Sequence, residues 1–78
     1  MEKLISKIIF EEGVLELKHN VPVVDGRSNY SHATTYIELY SPDGDFLERT
    51  NGGKHVFLAR VGSLVVNDGW HFIERQDK

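Results

Sequence analysis

The 78-residue chain contains no cysteine, only two prolines and a single tryptophan. Without cysteine there is no disulfide framework, no thiolate metal site and no cysteine nucleophile. No apolar run is longer than a few residues; Val56–Ala59 is typical. Nothing in the sequence is therefore expected to span a membrane, and the first residues lack the long apolar stretch of a secretory signal. A basic excess is missing too. Nine Lys and Arg stand against twelve Asp and Glu, a net charge of −3, which argues against a general nucleic-acid binder. These absences point to the cytoplasm, and no cofactor is expected.

What remains is an ordinary globular composition, 40% hydrophobic with mixed charge, too apolar for disorder. The length permits one domain over residues 1–78. At this size, burial and conformational entropy nearly cancel. A partner, or a second copy of the chain, would add stability.

Glycine-bearing turns divide the chain into short pieces. Lys3–Phe10 reads as a strand, although Leu4, Ile5, Ile8 and Ile9 also share a helical face. Glu11-Glu12-Gly13 suits a three-residue hairpin loop with Gly13 in the left-handed position. Val14–His19 is the return strand. An irregular loop follows over 20–33, containing Pro22 and the Asp25-Gly26 turn signal. Loops of that length in small domains are often mobile or functional.

Thr34–Tyr40 alternates as a half-buried strand does, with Thr35, Ile37 and Leu39 on one side and Tyr36, Glu38 and Tyr40 on the other. Pro42-Asp43-Gly44 turns the chain into a strand over Phe46–Arg49. Residues 54–67 favour a helix, since Phe57, Leu58, Val61, Leu64 and Val65 fall within about 120° of arc. The rival is a hairpin turning at Gly62-Ser63. Asn51 is the expected cap and Gly69 the expected left-handed terminator. Trp70–Arg75 reads as a last strand and 76–78 as a frayed tail. The expected fold is α+β: β-β-β-β-α-β, a small antiparallel sheet of about five strands with one helix on one face. A small all-β barrel is the alternative.

No arrangement with a chemical signature emerges. His19, His32, His55 and His71 are separated by 13, 23 and 16 residues, none of them a local chelate spacing, so no metal site is expected. Asp43-Gly44-Asp45 resembles part of a calcium loop, but His55 stands where the closing acid belongs. Ser28, Ser31, His32 and Asp25 share a loop without the rigid orientation a nucleophile needs. Gly52-Gly53-Lys54 lacks the rest of a phosphate-binding loop. No catalytic residue is assigned, and the chain is not expected to be an enzyme.

The expected function is a non-catalytic protein–protein interaction module, one concrete version being an accessory or inhibitor protein of phage or mobile-element type that binds a host protein. Its partner is another copy of itself, as a homodimer, or another protein. Tyr36, Glu38 and Tyr40 supply contact area in this reading, because tyrosine is enriched at interfaces. Arg27, Asn29, Tyr30 and His32 in the long loop supply specificity. The alternative is a weak nucleic-acid-binding domain using Arg27, Tyr30, Lys54 and Arg60, with one stacking ring among cations.

Overall fold

The computed structural model describes residues 1–73. Six strands and one helix follow in order: β1 (Glu2–Phe10), β2 (Gly13–Asn20), β3 (Val23–Val24), β4 (Arg27–Ser28), β5 (Thr34–Tyr40), β6 (Phe46–Asn51) and α1 (Lys54–Val66). The fold is α+β. Strands β1-β2-β5-β6 form an antiparallel four-stranded sheet in that spatial order, and β3 and β4 form a separate two-stranded ribbon. The barrel alternative is excluded, because the sheet stays open. Among the described residues no helix is long and apolar enough to cross a membrane.

Alternation in β2 and β5 decides which way the sheet faces. Leu15 stands opposite Leu39 and Leu17 opposite Ile37. These four leave water together with Phe10, Phe57 and Leu64 to make the core. The helix packs chiefly over β2, and Gly62 lies within it, so no hairpin forms there. Its apolar stripe wins over the poor helix propensity of its valines and glycine because it has a sheet to cover. The cap is Gly53 without a side-chain bond; Asn51, expected in that role, ends β6 instead. Past the helix, Gly69 has φ of 70° and the Trp70 amide donates to the Leu64 carbonyl at 2.9 Å. The left-handed turn there redirects the chain across the sheet towards β1.

Two expectations need correction. The β1–β2 turn has two residues, Glu11 and Glu12, with Phe10 paired to Gly13. Gly13 is not left-handed. It is needed for space: a Cβ there would stand 2.4 Å from the Tyr40 carbonyl oxygen and 2.8 Å from the Trp70 ring. The last strand is also reduced. Among the described residues it is a single bridge, Phe72 to Phe10, reinforced by Glu11 N–H to His71 O at 2.8 Å and Ile73 N–H to Ile9 O at 3.3 Å. Glu74, Arg75 and the tail expected at 76–78 lie outside the described residues.

The 20–33 excursion is partly ordered by its own bonds. Val24 pairs with Arg27 across Asp25-Gly26, and one turn of 3-10 helix covers Tyr30–His32. The Val21 amide ties the excursion to the Met1 carbonyl at 2.9 Å.

Candidate interaction surfaces

The sheet face opposite the helix holds a charge network centred on Glu38. Register puts Glu16 and Glu38 directly opposite each other, a repulsive pairing on its own. Lys18 resolves it, with Nζ 2.7 Å from Glu38 and 3.3 Å from Glu16. Arg49, opposite Glu38 on β6, reaches its other oxygen at 3.0 Å. The Tyr40 hydroxyl donates to Glu38 at 2.7 Å. Arg49 also lies over the Tyr36 ring, 4.2 Å from its centroid, a cation–π contact. The Tyr36 hydroxyl donates to Glu2.

These contacts set the titration of the cluster. Burial raises the Glu38 pKa, but donors from Lys18, Tyr40 and Arg49 outweigh it and hold the carboxyl below its ordinary value. Burial likewise disfavours the Lys18 cation, and its bonds to Glu38, Tyr40 and Glu16 more than reverse this, raising its pKa. The Tyr40 phenol is pushed up first by its bond to Glu38, then by burial. The Tyr36 phenol is pushed up mainly by burial. A carboxylate held ionised among several donors is a poor proton acceptor near neutrality.

The sequence-selected residues therefore fall into two places. Tyr36 and Glu38 are 5% and 6% exposed, consumed within the network, and Tyr40 is half-buried beside them. Arg27, Asn29, Tyr30 and His32 stand on the excursion at the end of the sheet. The alternative set is also divided. Arg60 is bonded to Glu48 at 3.0 Å on the β6 side, Lys54 opens the helix, and Tyr30 faces solvent. Tyr30 shares a hollow of about 260 Å³ with Lys3, His19 and Ser28.

The apolar surface lies elsewhere. Among the described residues thirteen large hydrophobic side chains are exposed against eight buried, and several of the thirteen line the outer flank of β1. Because α1 sits over β2, β1 projects beyond it. Leu58, counted with the core-facing stripe, is 53% exposed, and Ile5 is 52% exposed. Both border a hollow of about 300 Å³ with Leu17, Phe57 and Lys54. Further along the strand a second hollow, about 360 Å³, is lined by Ile8, Ile9, Phe72 and Ile73 with Lys7. Sequence reasoning missed this flank. Its signal was the apolar density of β1, four of its nine residues being Leu or Ile, more than a half-covered edge strand requires.

One contact set was beyond reach of local spacing. Glu12 and His71, 59 residues apart, meet at 2.7 Å, and Glu12 also accepts the His71 amide at 2.8 Å. These bonds lower the Glu12 pKa and raise that of His71. With Glu11, their ligand atoms lie within 4.8 Å of one another. The pair clips the Trp70–Ile73 segment to the β1–β2 turn.

No protein-family model matches the chain, and no significant match is found among curated proteins or solved structures. The surfaces themselves carry the functional reading.

Proposed function

We propose a non-catalytic protein–protein interaction module, acting in the cytoplasm, whose contact surface is the β1 flank. The observation that carries the reading is the set of exposed apolar side chains along β1, Ile5 and Leu58 at one hollow and Phe72 and Ile73 at another. Contiguous apolar surface on a small chain favours a partner, since leaving it wet forgoes roughly 25 cal/mol for each Å². The Tyr36/Tyr40 face is the weaker choice, because its aromatic area is spent on Arg49, Lys18 and Glu38. A photo-crosslinking residue in place of Leu58, activated in the producing cell, tests the proposal. A discrete protein adduct is expected there, absent at exposed Val66 and abolished by Ile5→Glu. No adduct at Leu58, or one indifferent to Ile5→Glu, rejects the reading.

A second reading, weak single-stranded nucleic-acid binding, is favoured by one observation: the exposed Tyr30 ring shares its hollow with Lys3 and His19. It requires affinity that falls steeply with salt and is lost in Tyr30→Ala. Binding indifferent to either change counts against it.

A further inference from the structure

We infer that the occupant of the β1 flank is a second copy of this chain, related by a two-fold axis that sets the two β1 strands antiparallel; this rests on the interaction reading above. The sheet has an acidic end and a basic end. Both turns at one end are acidic: Glu11 and Glu12 between β1 and β2, Asp43 and Asp45 between β5 and β6. At the other end stand Lys3, near the start of β1, and Lys54, opening α1 beside Ile5. Among the described residues neither lysine enters an ion pair, whereas Lys18, Arg49 and Arg60 all do. The first turn of α1 carries no acid either. Among the described residues the acid at that end, Glu2, is taken up by Lys18 and the Tyr36 hydroxyl, which leaves Lys3 and Lys54 without a countercharge there.

An antiparallel two-fold supplies it. Lys3 and Glu11 lie four residues either side of Lys7, about 13 Å in each direction along a strand. An axis passing near Lys7 places Lys3 of one copy beside Glu11 of the other, and the same pair recurs by symmetry. That axis also superposes the apolar features. The Ile5/Leu58 hollow of one copy meets the Phe72/Ile73 end of its mate, so each hollow faces exposed apolar side chains. Lys7, close to the axis, borders the Phe72/Ile73 hollow at its rim. It stands opposite Glu16 in the β1–β2 register and also lines the recess on the charged face with Glu16 and Tyr40.

Side-chain packing, and not a continued hydrogen-bond ladder, makes this contact. The ladder register shifts between Leu4 and Ser6, and the Phe72 bridge already occupies Phe10. Both features blunt a strand edge against extension. A parallel arrangement, or a head-to-tail one, would bring Lys3 to Lys3 or leave one hollow open.

Sedimentation equilibrium of the purified chain from 1 to 200 µM tests the inference, with circular dichroism confirming that each variant folds. The wild-type chain is expected to dimerise with a micromolar Kd. Leu58→Glu, at a half-exposed site, is expected to be monomeric throughout. Lys3→Glu and Glu11→Lys should each weaken the dimer about tenfold, since each breaks two symmetric rim pairs. The double variant Lys3→Glu/Glu11→Lys should recover most of that loss. A wild-type monomer at 200 µM overturns the second copy, while an adduct to a different protein at Leu58 would leave the interaction reading standing. A dimer indifferent to Leu58→Glu, or single variants whose losses simply add in the double, overturns the proposed arrangement.

Discussion

Replacing Glu38 with Gln removes one charge from the most buried ionic group in the described fold and leaves its shape. The amide keeps one acceptor for Lys18, Tyr40 or Arg49 but loses the charge assistance of those bonds, each ordinarily contributing about 1.5–3 kcal/mol. Two features reduce the cost. Lys18 retains Glu16 at 3.3 Å, and Arg49 is half-exposed, so its share is small. The expected loss is about 2 kcal/mol, below the roughly 3–5 kcal/mol for breaking a fully buried pair. In a domain of this length that is a fall in Tm of roughly 8–16 °C. Thermal denaturation at pH 7 measures it. The double variant Glu38→Leu/Lys18→Met should lose less than its single variants combined, because no buried charge is left alone. The pH dependence has a definite sign. A carboxyl whose folded pKa is lowered contributes stability above its unfolded value, near 4.5, and loses it as pH falls through the folded value. Glu38→Gln should therefore lose less stability than the wild type between about pH 5 and pH 3. A Tm within 2 °C of wild type at neutral pH, with an unchanged acid limb, would refute this account of the network.

Gly13→Ala should cost about 2–3 kcal/mol, because the new methyl meets the Tyr40 carbonyl and the Trp70 ring and the backbone partner cannot yield easily; denaturant unfolding measures it, and a neutral result would contradict the close approach. Gly69→Ala should cost about 1 kcal/mol from its left-handed backbone alone, with no clash because the space around it is open; an equal or higher Tm would oppose the helix-terminator role. Amide exchange within Gly26–Ser31 should be the fastest of any internal segment, since only the short β3–β4 ribbon and one 3-10 turn hold it. Protection there comparable to β5 would contradict this.

The fold was legible wherever a segment's own period reports its environment. Thr34–Tyr40 alternates cleanly because one side meets the core and the other the charge network. The stripe of α1 emerged for the same reason, against its local propensity. Long-range partners left no local trace. Gly13 looked like a turn glycine because glycine before a strand usually serves a turn; only the return of Trp70 across the sheet reveals that it makes room. The short β3–β4 ribbon was signalled by Asp25-Gly26 but lacks the length that makes a strand visible. Tyr36 and Tyr40 looked like contact area because alternation puts them outside the core. Alternation alone cannot tell that Lys18 and Arg49, on neighbouring strands, converge on Glu38 and cover them. The β1 flank was hidden by a related ambiguity: apolar residues in an edge strand look the same whether the helix covers them or, lying over β2, leaves them bare.

Because the chain has no cysteine of its own, its central contact can be read with two single-cysteine variants. Lys3→Cys and Glu11→Cys chains, mixed in equal amounts and oxidised under native conditions, report whether β1 meets its copy antiparallel. The mixed Lys3→Cys–Glu11→Cys disulfide should far exceed both homodisulfides, and adding Leu58→Glu to both chains should abolish the excess. A statistical distribution of the three products, or a dominant homodisulfide of either variant, would contradict it.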